Sequence, residues 1–139
     1  MRRSLSAAAL TLIACAALAQ TPAPKAPPTP TPSPSPAMTA PPYDPQLMRL
    51  AEIFGALSYL RDLCGAGDGA AFRDKMSTLI DAEAHSQERK DLFAGAFNRG
   101  FSDYELTYRR CTSSARQTIV DYLDESARIA REVATRYGG

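Results

Sequence analysis

The chain has no tryptophan, a single histidine (His85), only three cysteines and no proline after Pro45. Each scarcity removes a class of function. One histidine and the widely spaced Cys64 and Cys111 do not supply four ligands at zinc-site spacing, and no CxxC redox pair exists, so no metal or cofactor is expected. His85 lies between Ala84 and Ser86 with no sequence-local nucleophile or orienting acid, which reads as a surface loop histidine. Glu52, Asp62, Asp81, Glu83 and Glu105 are acidic residues of ion-rich helical faces, and their pattern specifies no acid–base pair. No catalytic residue is therefore named, and the expectation is a protein that is not an enzyme. The missing prolines and tryptophan also argue against the turn-rich pattern of a sandwich or barrel. A basic footprint is absent too. Residues 43–139 carry 13 Lys and Arg against 15 Asp and Glu, interspersed, which excludes nucleic acid as the expected partner.

The first 42 residues are the most specific feature present. Arg2 and Arg3 give a basic start, residues 5–14 an apolar stretch too short to span a bilayer, and small residues follow. This is the order of an export signal over residues 1–19, with cleavage after Ala17-Leu18-Ala19 leaving Gln20 as the new terminus. A second route fits the same segment. Leu12-Ile13-Ala14-Cys15 resembles a lipobox, and acylation of Cys15 would anchor the mature chain to a leaflet, the one way this protein would meet a membrane. Residues 20–42 hold ten prolines among Ala, Thr and Ser, with Lys25 alone charged. So little apolar bulk does not offset the entropy of folding, and a disordered, polyproline-biased linker is expected.

Residues 43–139 form one domain-sized unit with helical periodicity throughout. Asp44 and Pro45 suit the start of a first helix that runs to about Leu63, with Leu47, Leu50, Phe54, Leu57, Leu60 and Cys64 as its apolar stripe; Gly65 and Gly67 end it. Asp68 is the expected cap of a second helix, whose stripe is Phe72, Met76, Leu79 and Ile80 and which fades near Glu83. Ser86 caps a third, in which Phe93, Phe97, Gly100, Tyr104, Tyr108 and Cys111 keep helical spacing to its end. A capping box at Ser102 to Glu105 offers a break near Gly100, but the unbroken stripe favours one helix, with small residues admitting a close neighbour. One of Thr112, Ser113 and Ser114 caps a fourth helix, with Ala115, Ile119, Tyr122, Leu123, Ile129, Val133 and Tyr137 on its apolar face. The expected fold is all-α, a four-helix up-down bundle or a closely related helical array. Odd-numbered helices then finish at one end, which makes Cys64 and Cys111 neighbours. In an exported protein a disulfide leads over free thiols or an intermolecular bond.

Four blocks carry a family likeness: Leu57-x-Tyr59-Leu60-Arg61-x-Leu63-Cys64, Leu79-Ile80-x-Ala82-Glu83, Ala96-Phe97-Asn98-Arg99-Gly100-Phe101 and Thr107-Tyr108-Arg109-x-Cys111-Thr112. They resemble an uncharacterised alphaproteobacterial family of small exported proteins. The resemblance implies an export signal, pairing of two well-separated cysteines and no known activity.

Two surface features invite a function. Asn98 and Arg99 beside Gly100 and Phe101 suggest a partner-facing patch, set against helix packing plus solvation. Arg61, Arg109 and Arg110 gather at the cysteine end, where they either contact an anion or complement helix C-termini, the latter being favoured. The preferred reading is a periplasmic interaction module held on a proline-rich spacer and directed at an envelope protein. The alternative is a binder of a small anionic or apolar envelope ligand between the helices.

Overall fold

The computed structural model describes residues 40–138; the expected signal, nearly all of the linker and Cys15 lie outside them. Four helices and no strand are present among the described residues: α1 (Asp44–Leu63), α2 (Gly69–Glu83), α3 (Gln87–Thr107) and α4 (Ser113–Tyr137). Their directions alternate. Glu83 at the end of α2 meets Tyr43 at the start of α1, Arg89 near the start of α3 pairs with Asp44, and Glu132 late in α4 accepts from Gln46.

The arrangement is a helical array centred on α1, not a four-cornered bundle. Helix α1 packs against each of the other three, whereas the backbone of α4 approaches only that of α1. One apolar stripe was expected on α1, but Ala51, Ile53, Gly55, Ala56 and Ser58 are buried as well as Leu47, Leu50, Leu57 and Leu60. A helix enclosed on several sides needs apolar or small residues around most of its circumference, and the Leu50–Leu60 segment supplies them.

The tightest contact is between α1 and α3. A Cβ on Gly55 would fall on the Phe97 carbonyl oxygen, and one on Gly100 would fall on the Glu52 carbonyl oxygen. The two helices therefore touch backbone to backbone, which only the missing side chains permit. Around this crossing Phe93 and Ala96 are fully buried, and α3 passes Gly100 without a break. Gly95 meets only the flexible end of Arg99 and takes no part in the crossing.

Helix ends depart from expectation in three places. The cap of α1 is Tyr43, and Asp44, inside the first turn, uses its carboxylate on Arg89 of α3. Asp68 is the N-cap residue of α2 as expected, but its side chain makes no capping bond; Arg61 holds it through Nε to Oδ1 at 2.7 Å and Nη2 to Oδ2 at 2.5 Å. Asp62 of α1 instead accepts the free Gly69 amide at 2.8 Å. Helix α3 stops at Thr107, so Cys111 lies in the connection beyond it and does not close the helix. The other ends fit. Gly65, at φ +80°, follows α1 as its amide bonds to Asp62 and that of Ala66 to Arg61, the pattern of a Schellman close. Ser86 and Thr112 accept from Arg89 and Ala115 and cap α3 and α4.

Candidate functional site

Helices α2 and α4 both lean on α1 without their backbones meeting, and this separation leaves an apolar groove. Its floor is Leu47, Leu50 and Phe54 of α1; one wall is Phe72, Lys75, Leu79 and Glu83 of α2. Those four recur at three- and four-residue steps and so share one face of α2. The opposite wall is Leu123, Ala127, Ala130, Val133 and Ala134 of α4. Two open volumes of about 300 Å³ and 340 Å³ lie between these walls and share Ala130 as a lining residue. From Phe72 to Glu83 the α2 wall is roughly 16 Å long, three helical turns.

Polar groups stand toward both ends of the groove. At one end the Tyr43 and Tyr137 rings pack 4.8 Å apart, and the Tyr43 hydroxyl donates to Glu83 at 3.4 Å. The Glu83 carboxylate beside that hydroxyl raises the Tyr43 pKa. Toward the other end, one turn in from Phe72, Lys75 is exposed. Helix α4 is held in place from behind: Arg49 grips Glu125 with both forks, at 2.9 and 3.0 Å, and lies over the Tyr122 ring. That bidentate contact holds the Glu125 carboxyl below its ordinary range. The Tyr122 hydroxyl meets Tyr104 of α3 at 2.5 Å, and burial with this bond raises the Tyr104 pKa.

Cys64 and Cys111 form the one predicted linkage inside the described residues, as a disulfide with Cα atoms 4.9 Å apart. Near it the Tyr59 hydroxyl donates to the Tyr108 carbonyl at 2.5 Å and the Tyr108 hydroxyl meets Ser114 at 2.9 Å. The arginines expected at the cysteine end, for helix C-termini or an anion, divide by partner: Arg61 lies in the last turn of α1 and is occupied by Asp68, while Arg109 and Arg110 are exposed on the α3–α4 connection. The Asn98 patch also divides. Asn98 and Arg99 are exposed, but Phe101 turns inward and packs edge-on against Tyr59, with centroids 5.4 Å apart. His85 is exposed between α2 and α3. The acidic residues do not converge: Glu52 pairs with Arg49, Asp62 caps α2, Glu83 takes the Tyr43 hydroxyl, and Asp81 and Glu105 face solvent. Among the described residues no group of three or more His, Cys, Asp or Glu side chains is placed to hold a metal ion, and no helix is long and apolar enough to cross a membrane.

A family model described as a protein of unknown function, DUF2385, matches residues 42–137. The chain belongs to that family. No curated protein and no solved structure matches the chain. The DUF2385 match covers all four helices and supplies no activity, so the groove has to be read from its own chemistry. Sequence periodicity passed over it because Ala127, Ala130 and Ala134 look like ordinary helix formers on the exposed side of α4. Their spacing of three and four residues was the available signal.

Proposed function

We propose that this DUF2385 domain is an exported helical interaction module of an alphaproteobacterial envelope, and that its groove between α2 and α4 receives an amphipathic helix of a partner protein. The single observation that carries this reading is the open apolar trough itself. A helix fits it on three counts. The α2 wall is about three turns long; the small side chains Ala127, Ala130 and Ala134 let a helix approach closely, as glycines do at the α1–α3 crossing; and Lys75, one turn in from Phe72, and Glu83 set opposite charges toward its two ends. The complementary helix carries apolar residues at three- and four-residue spacing, an acidic group toward Lys75 and a basic group toward Glu83.

In this reading export frees the domain at Gln20, or anchors it through an acylated Cys15, and residues 20–42 act as the spacer from which it reaches its partner. A tryptophan at Ala130 tests the groove. Ala130 is exposed, so Ala130→Trp should leave stability within about 0.5 kcal/mol. Retention of the partner by the immobilised domain should fall at least tenfold. Unchanged retention would reject the groove, and displacement of a lipid in place of a protein would support the ligand-binding alternative.

A further inference from the structure

The two sulfurs of the disulfide sit in opposite electrostatic settings. Cys64 is the C-cap of α1, and its amide is already spent on the Leu60 carbonyl. The carbonyl end of a helix disfavours an anion there. Arg61, one turn earlier, has its charge paired with Asp68. Cys111 is placed the other way round. It immediately precedes Thr112, the N-cap of α4, whose free amides favour an anion. The Arg116 guanidinium donates from Nη1 to the Cys111 sulfur at 3.4 Å, and Arg109 and Arg110 lie next to it in the chain, exposed. Both cysteines are half-buried, so neither sulfur is sealed from solvent.

We infer that the Cys64–Cys111 bond is a thiol-exchange site of fixed polarity, with Cys64 as the sulfur that is attacked and Cys111 as the leaving thiolate. An external thiolate, from a small thiol or a dithiol oxidoreductase, forms a new S–S bond to Cys64 Sγ. The Cys64–Cys111 bond breaks, and its electron pair leaves on Cys111, where Arg116 and the start of α4 hold the charge. A second thiolate then takes the incoming sulfur as an external disulfide and releases Cys64 as a thiolate; the protein has gained two electrons from the two thiols. Cleavage frees the α3–α4 connection from the end of α1, leaving it held there by the Tyr59–Tyr108 hydrogen bond.

The polarity follows from leaving-group chemistry, since the thiol of lower pKa departs faster and a neighbouring arginine lowers that pKa. The test treats the full chain with reduced glutathione at neutral pH, quenches in acid, blocks free thiols and maps the adduct by mass spectrometry. Trypsin separates the two sites, after Arg61 for one and after Arg110 for the other. The expected result is at least about tenfold more glutathione on Cys64 than on Cys111. In Arg116→Met that excess falls about threefold or more, and in Arg116→Lys it is kept. Equal adducts, a preference for Cys111, or a ratio that Arg116→Met leaves untouched would overturn the assignment. Each variant is first matched to the parent by circular dichroism, so a lost fold is not read as lost polarity.

Discussion

At the residue scale the decisive positions are glycines whose missing side chains are structural. Gly100→Ala should destabilise the domain by about 3 kcal/mol, because the new methyl meets the backbone of α1, which cannot rotate away. A thermal melt would show this as a drop of more than about 10 °C. Gly95→Ala, five residues earlier, should instead raise stability by up to about 1 kcal/mol, since it removes helix-interior glycine without a clash. Equal effects at the two sites would refute the close crossing. Gly100 was legible as a point of close approach from its place in the aromatic stripe. Its counterpart Gly55 was hidden, because a glycine between Phe54 and Ala56 looks like any break in a stripe until the partner helix is known. Asp68 was placed correctly at the N-cap of α2, but its side chain does not cap, because cap propensity is a local rule: Arg61 of the previous helix takes the Asp68 carboxylate, and Asp62 of that helix accepts the Gly69 amide. Asp62→Ala should accordingly cost about 1 kcal/mol in melting experiments. Asp68→Asn should leave the α2 cap intact, as measured by amide exchange at Gly69.

At the element scale the number, order and approximate extent of the helices were readable, because long amphipathic repeats bounded by glycine and serine fix them. The end of α3 was not. Tyr108 and Cys111 keep helical spacing in the sequence, yet Tyr108 is extended, with its carbonyl taken by Tyr59 and its hydroxyl by Ser114. Three-dimensional partners thus override period. The attachment of α4 gives a pH prediction. The folded pKa of Glu125 is depressed by Arg49, so its contribution is fully present above the ordinary value of 4.5 and is lost as pH falls through the lower folded value. Melts of the parent and Glu125→Gln should therefore differ at neutral pH and converge only in acid below the depressed folded value, where both side chains are uncharged. A gap that persists in acid would assign the effect to shape and not to charge.

At the scale of the whole molecule, α1 is the common support, and the disulfide ties its end to the connection that launches α4. Cys64→Ser should cost about 4 kcal/mol in the chain-entropy account of a 47-residue separation. The melting temperature should fall while far-UV helicity is kept; an unchanged melt would remove the staple. The groove was the part least legible in sequence, because it arises from what α2 and α4 do not touch. Periodicity marks which face of a helix is apolar, and says nothing of whether a neighbour covers all of it. Photocrosslinking in the native envelope tests the groove most directly, with a photoreactive side chain at Ala130 and a control at Glu105 on the exposed face of α3. The account predicts a discrete protein adduct from position 130 alone, mapped to a peptide with apolar residues at three- and four-residue spacing. Equal labelling from both positions, or an adduct from position 105 only, would contradict it.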